Sequence, residues 1–126
     1  MTQATAQRME TRPAGKWAGA YKSKLITIDE AVSRIRSDWD VIVAQCASEP
    51  QGLMSRLHKA APSVENVRVF SVLTLKPYDF YMKPEMKGHF ELCSWFHAAG
   101  SREALKLGTG TVTFVTNMLH RATLDR

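Results

Sequence analysis

The feature that most constrains the fold is a pair of β-rich runs separated by a single helical segment. Residues 41–44 are apolar at every position, as expected of a strand that is buried on both faces of a sheet. Residues 67–73 are rich in valine and predict a second strand. Between the two runs, Leu53, Met54 and Leu57 recur at helical spacing. A strand, a helix and a strand joined by short connections form a βαβ unit, which requires parallel strands and a right-handed crossover. The sequence therefore predicts an α/β fold.

Further strands and helices complete the predicted domain. A Thr-x-x-Glu capping box that begins at Thr27 predicts a helix over residues 28–37. Residues 90–96 and 111–116 have the composition of strands, and a short helix is expected between them. We therefore expect a three-layer, Rossmann-like α/β domain, in which a mostly parallel sheet of about four strands has helices on both faces.

Residues 76–88 are interpreted as a long loop with a short helix near residues 83–87. The segment contains proline and glycine together with Tyr78, Phe80 and Tyr81. Two interpretations of these aromatic side chains stay open, since they could line a pocket for an acyl group or pack the loop against the domain. Loops of this length inside a compact domain are often functional.

The distribution of charge argues against nucleic-acid binding. The chain of 126 residues has a formal net charge of +5. Residues 1–24 contain five basic groups and one acid, whereas residues 25–126 contain 12 basic and 11 acidic groups. A nucleic-acid-binding protein places its basic excess on a structured face. We expect a flexible basic leader over residues 1–20 and a nearly neutral domain over residues 21–126, so nucleic-acid binding through the leader is the weakest functional hypothesis.

The sequence predicts a cytoplasmic protein without a membrane span. It contains no run of about 18 uncharged apolar residues, and residues 1–20 lack the apolar core of a secretory signal. A mitochondrial transit peptide is the alternative, but Glu10 and Pro13 interrupt any amphipathic helix there.

Cys46 and Cys93 are isolated and lack metal-ligand spacing, which predicts two reduced thiols and no metal site. No bound cofactor is expected either.

Two loops are candidate ligand sites because ligands of open parallel sheets bind beyond the carboxyl ends of the strands. Small residues and a helix start, which favours anions, occur in both loops. The first loop contains Cys46, Ala47, Ser48, Glu49, Pro50 and Gln51, and the second contains Gly100, Ser101 and Arg102.

Each candidate also has a purely structural interpretation. Ser48 and Ser101 could act only as helix caps, and Glu49 could simply complement the helix dipole. Arg102 could bind a carboxylate or a phosphate, or remain solvated. His97 could be a general base, but no partner is identifiable in the sequence, so a packed histidine is the favoured interpretation. Three other histidines lack metal-ligand spacing, and none is assigned a chemical role: His58, His89 and His120.

The order of several short blocks resembles the opening part of the acetyl-CoA hydrolase/transferase family, of the 4-hydroxybutyrate and butyryl-CoA:acetate CoA-transferase type. The blocks are Tyr21-Lys22-Ser23-Lys24-Leu25, Asp29-Glu30-Ala31-Val32, Cys46-Ala47-Ser48-Glu49-Pro50, Gly88-His89-Phe90, Ser94-Trp95-Phe96, Gly100-Ser101-Arg102-Glu103-Ala104 and Asn117-Met118-Leu119-His120-Arg121. Two departures separate this chain from the family. Ser48 stands where many relatives have glycine, and residues 98–101 read Ala-Ala-Gly-Ser where relatives often have Gly-Gly-Asn-Thr.

The resemblance implies an enzyme of short-chain acyl-CoA metabolism whose active site lies between two similar α/β halves. The family's catalytic glutamate lies in the second half, so no glutamate of this chain is assigned that role. The residues of the two candidate loops would then form the opposite wall of a pocket for coenzyme A thioesters and carboxylic acids. The resemblance also implies a truncated domain that associates with a C-terminal half or with another copy. A non-catalytic domain that binds coenzyme A, an acyl ligand or a protein is the alternative.

Overall fold

A computed structural model describes residues 15–116 and residue 121. The part of the expected leader before residue 15 and His120 lie outside the described residues. In the described part, no helix combines the length and the apolar character that crossing a membrane requires.

Four parallel strands form one sheet in the order β1-β2-β3-β4, which confirms the predicted α/β fold. The register aligns Val41, Val69, Leu92 and Val112 in one row across the sheet. The strands are β1 (Asp40–Ile42), β2 (Val67–Ser71), β3 (Phe90–Ser94) and β4 (Val112–Phe114). Because all four run in the same direction, their carboxyl ends meet at one edge of the sheet.

Five α-helices and three short 3₁₀ helices connect and cover the strands of the described part. The α-helices are α1 (Ala18–Lys24), α2 (Ile28–Ser33), α3 (Gln51–Met54), α4 (Asp79–Met82) and α5 (Ala99–Leu107). The 3₁₀ helices are Cys46–Ser48, Leu57–Ser63 and Pro84–Met86, and the last of these corresponds to the short helix expected near residues 83–87.

Helix α2 begins as predicted but ends four residues early. The Thr27 hydroxyl accepts a hydrogen bond of 3.1 Å from the backbone N–H of Glu30, which is half of the expected capping box. The Glu30 carboxylate pairs instead with Arg34, at 3.0 Å. The N–H groups of Arg34 and Ile35 bond to carbonyls three residues back, so the last turn tightens and the helix stops.

The prediction that the first strand is buried on both faces is wrong. Strand β1 has only β2 as a neighbour among the described strands, and its side chain Ile42 is 70% exposed. Successive side chains of a strand point to opposite faces, so Val41 and Val43 pack on the core while Ile42 points away from it.

The hydrophobic core covers the face of the sheet that carries Val69 and Leu92, which we call the core face. Both side chains are fully buried, as is Met54 of α3. Phe80 and Tyr81 of α4 are also fully buried against this face, so residues 76–88 are part of the core and not a simple loop. The packing interpretation of these aromatic residues is therefore confirmed for Phe80 and Tyr81.

Candidate functional site

The candidate site is the edge of the sheet where the four strands end. Backbone hydrogen bonds continue beyond the strands, from Val43 N–H to the Phe70 carbonyl (3.0 Å) and from Phe96 N–H to the Val72 carbonyl (2.9 Å). These bonds hold the segments after β1, β2 and β3 side by side. The first predicted loop follows β1 and the second follows β3, so both lie at this edge.

The first loop does not cap a helix as predicted. Cys46, Ala47 and Ser48 are exposed and form their own 3₁₀ turn, in which Cys46 has a φ of 52°. Helix α3 begins at Gln51 behind a half-buried Pro50, with no side-chain cap, so Ser48 caps nothing. The capping interpretation failed because both N–H groups of the expected capping box bond to carbonyls nearby, that of Ser48 to Gln45 (3.1 Å) and that of Gln51 to Glu49 (2.8 Å).

Glu49 is the one buried member of the first loop, and its role differs from the predicted one. Its side chain is 7% exposed. Its Oε2 atom accepts a hydrogen bond of 2.7 Å from the Tyr78 hydroxyl, and both of its oxygens lie 3.3 Å from the backbone nitrogen of Leu75. Glu49 therefore ties the loop after β1 to the segment after β2, and does not simply complement the dipole of α3.

Burial and the contact with Glu49 together keep the Tyr78 hydroxyl in its protonated form. Burial raises the pKa of its hydroxyl first, and the hydrogen bond and the negative charge of Glu49 raise it further. A phenol that keeps its proton remains a hydrogen-bond donor, so Tyr78 can continue to donate to the buried carboxylate of Glu49.

The second loop contributes structural and exposed groups at the start of α5. Ser101 is fully buried and donates a hydrogen bond of 3.2 Å to the Ala98 carbonyl, and Ala98, not Ser101, occupies the N-cap position. Arg102 is exposed, and its Nε atom donates to the His97 carbonyl at 2.8 Å. This bond fixes the base of the guanidinium group next to His97.

Gly100 allows α5 to approach the segment after β2 closely. A Cβ atom at this position would lie 2.9 Å from the Tyr81 hydroxyl oxygen and 3.1 Å from Pro77 Cα. We expect Gly100→Ala to lower the free energy of unfolding by about 1–3 kcal/mol, because the backbone has to shift. Gly19→Ala is the matched control, since nothing lies within 4 Å of its new methyl group. Equal unfolding midpoints in urea for the two variants would contradict the close contact.

Buried polar atoms without hydrogen bonds are concentrated at this edge. In the described part, Ser71 Oγ, Thr74 Oγ1 and both ring nitrogens of His97 have no partner, while the fifth such atom, Nδ1 of His58, lies elsewhere. Buried polar groups are nearly always hydrogen-bonded, so this concentration makes the edge a candidate ligand site. The Thr74 hydroxyl can donate a hydrogen bond to the Tyr81 hydroxyl oxygen, so Ser71 and His97 are the residues of this edge whose polar atoms stay without a partner.

The sequence interpretation missed Ser71 and treated His97 as a packed residue. The available signal was position, because Ser71 is the last residue of β2 and His97 lies three residues beyond the end of β3. In residues 15–116 and residue 121, no three metal-ligating side chains come together at a possible metal site.

The fold and the site define a Rossmann-like α/β domain with a candidate ligand-binding edge. Over 98 residues the chain is 28% identical to the 4-hydroxybutyrate coenzyme A transferase of Clostridium kluyveri, a match that covers 78% of this chain and 23% of that protein. Over 89 residues it is 30% identical to the butyryl-CoA:acetate CoA-transferase of Anaerostipes caccae, covering 70% of this chain and 20% of that protein. No family model matches the chain.

The fold is shared with solved structures. The crystal structure of RipA from Yersinia pestis matches with a TM-score of 0.72 and 26% identity, over 86% of this chain and 27% of that one. Two RipA variants match with the same TM-score at 25% identity. The resemblance to CoA-transferases is therefore confirmed, and the chain spans about a fifth of the length of the curated relatives that it matches.

Proposed function

We propose that this chain forms one wall of the active site of a CoA-transferase or acyl-CoA hydrolase. Its substrates would be short-chain acyl-CoA thioesters and carboxylic acids, and the remaining wall would come from a C-terminal half or another copy. The observation that carries the proposal is the group of unpartnered polar atoms at the carboxyl edge of the sheet, in a chain whose relatives are named as CoA-transferases.

The contacts of Glu49 support the proposal that the attacking carboxylate belongs to the opposite wall of the active site. Glu49 is the one buried carboxylate of the described residues, and it accepts hydrogen bonds from Tyr78 and Leu75. A carboxylate that attacks a thioester needs a free lone pair and access to the acyl carbon. Glu49 therefore acts as a positioning residue, and the attacking carboxylate belongs to the opposite wall.

In this reaction the attacking carboxylate adds to the thioester carbonyl and expels CoA thiolate, which leaves an acyl-glutamyl anhydride. The thiolate then attacks the glutamyl carbonyl, releasing the first carboxylic acid and forming a glutamyl-CoA thioester. An acceptor carboxylate then attacks the glutamyl-CoA thioester, the two steps run in the reverse order, and the acceptor leaves as the new acyl-CoA. Attack of water on the glutamyl-CoA thioester gives hydrolysis instead. Hydrogen-bond donors at the sheet edge would stabilise the negative oxygen that forms at each attack.

The test is reconstitution of CoA transfer. The chain is assayed with butyryl-CoA and acetate, first alone and then with the unmatched C-terminal portion of the Anaerostipes caccae relative. We expect no turnover by the chain alone and formation of acetyl-CoA by the mixture, with the C-terminal portion alone as the control. No turnover and no association in the mixture would refute the proposal. Binding of CoA without turnover would instead favour the alternative of a non-catalytic binding domain.

A further inference from the structure

Strand β1 presents backbone hydrogen-bonding groups at the open edge of the described sheet. Toward β2, the Trp39 carbonyl accepts a hydrogen bond and the Val43 N–H donates one, each of 3.0 Å. Alternate residues of a strand bond to the same neighbouring strand, so the backbone groups of Asp40 and Ile42 point away from β2. Among the described strands, none pairs with β1 on that side. The edge of β1 can therefore receive another strand.

This edge lacks the features that usually prevent a sheet from pairing with another chain. Exposed edge strands are commonly protected by lysine or proline. Residues 39–44 contain neither, and the carboxylate of Asp40 is bonded to Arg68 of β2 at 2.8 Å, so it is not free to repel an approaching strand. Ile42 is 70% exposed, whereas Phe70, its partner in β2, is 6% exposed. On the face opposite the core, burial therefore stops one strand short of this edge.

The handedness of the connections indicates how the sheet can grow at β1. The three connections between the described strands contribute Met54, Phe80 and Ala104 to one core on the core face. Right-handed crossovers have this result when each new strand is added on the same side, as in the order β1-β2-β3-β4. A right-handed crossover toward the other side would place its helix on the opposite face of the sheet. A strand added at β1 would therefore bring a helix to the face on which Ile42 is exposed.

A strand from the rest of the enzyme fits this edge better than a second copy of the chain. Two copies of β1 paired symmetrically would run antiparallel, so the carboxyl ends of the two sheets would lie at opposite edges and would not form one site. A parallel strand would end beside the exposed turn Cys46–Ser48, at the edge that carries the candidate site. The relatives are long enough to supply it, since the matched regions cover 23% and 20% of them.

We propose that the open edge of β1 is the surface on which the rest of the enzyme docks, by adding a parallel strand beside residues 40–44. The backbone groups of Asp40 and Ile42 pair with that strand, and apolar side chains of the strand and its helix cover Ile42. This inference rests on the proposed function, since it names the surface through which the second part of the enzyme completes the site.

The test measures association of the full chain with the unmatched C-terminal portion of the Anaerostipes caccae relative. The two polypeptides are expressed together, and the dissociation constant of the purified pair is measured. Ile42→Lys, which places a charge in the apolar contact, should weaken association by about tenfold or more. Thr113→Lys is the control, since Thr113 is exposed on the same face of β4 at the opposite end of the described sheet, and it should leave association unchanged.

Two further measurements separate docking from folding. Because Ile42 is exposed, Ile42→Lys should not change the melting temperature of the chain alone. In wild type, the N–H groups of Asp40 and Ile42 should exchange rapidly with solvent in the chain alone and at least about tenfold more slowly in the pair. The N–H of Val41 points toward β2, so it should exchange slowly in both states.

Three outcomes would overturn the inference. Unchanged association of Ile42→Lys, or equally fast exchange at residues 40 and 42 in the pair, would refute the docking surface while leaving the proposed function in place. A wild-type chain that pairs with itself and becomes monomeric on Ile42→Lys would show that a second copy occupies the edge. Absence of any association by the wild-type chain would refute both the docking surface and the proposed function.

Discussion

Replacement of Phe80 by alanine is expected to lower the free energy of unfolding by about 3–5 kcal/mol. The Phe80 ring is fully buried in α4, and its centroid lies 5.1 Å from that of Tyr81 and 6.0 Å from that of Phe90. Removing the ring leaves a cavity between α4 and β3 and abolishes both edge-to-face contacts. Equilibrium unfolding in urea, followed by far-UV circular dichroism, measures the loss.

Phe96→Ala is the control for this prediction. The Phe96 side chain is 63% exposed, so its removal should change the free energy of unfolding by less than about 1 kcal/mol. If Phe80→Ala cost no more than Phe96→Ala, residues 76–88 would be a peripheral loop. The aromatic residues would then be free to line an acyl pocket, which is the interpretation that the sequence left open.

The misreading of residues 76–88 shows why a short buried helix escapes pattern analysis. Helix α4 contains only four residues, Asp79–Met82, so it has no repeated apolar spacing. Pro77 and Pro84 flank it and are typical of loops. Phe80 packs against Phe90 of β3, and α4 as a whole also contacts α5. Both elements lie downstream in the chain, where no local pattern near residue 80 can report them.

The strands show the reverse case, in which local composition was sufficient. The valine-rich run at Val67–Ser71 and the run at Phe90–Ser94 became the two central strands. The parallel pairing of β1 with β2 was predicted from the helical segment between them. Composition could not show that β1 lies at the edge of the described sheet. A run of four apolar residues has the same appearance at an edge as at the centre, since the position depends on which strands pair later.

The location of the candidate site was predictable, but the roles of its residues were not. The rule for parallel sheets placed both loops at the carboxyl edge. The partner of Glu49, however, is Tyr78, which lies 29 residues further along the chain, and no local pattern announces such a contact. Ser71 became visible only when its burial and its lack of a hydrogen bond were known.

Replacement of Glu49 by alanine is expected to lower the free energy of unfolding by about 2–4 kcal/mol. The variant would leave the buried Tyr78 hydroxyl and the Leu75 N–H without their acceptor, and hydrogen bonds to a charged group contribute about 1.5–3 kcal/mol. Glu49→Gln keeps the shape and one acceptor oxygen, so its loss should be smaller. Urea unfolding of the two variants beside wild type gives the comparison, with Glu103→Ala on the exposed surface of α5 as the control.

A double-mutant cycle with Tyr78→Phe tests whether the two side chains act together. The combined loss for Glu49→Ala and Tyr78→Phe should be smaller than the sum of the single losses, because the second change removes a bond that is already broken.

A pH series gives an independent check of the contact between Glu49 and Tyr78. The pKa of Tyr78 is raised above its ordinary value of 10.0 in the folded chain, so its contribution to stability is complete below pH 10 and is lost as the pH rises through the folded pKa. Wild type should therefore lose more stability above pH 10 than Tyr78→Phe does. Additive single losses and identical pH profiles would show that the contact between Glu49 and Tyr78, which joins the loop after β1 to the segment after β2, does not stabilise this edge of the sheet.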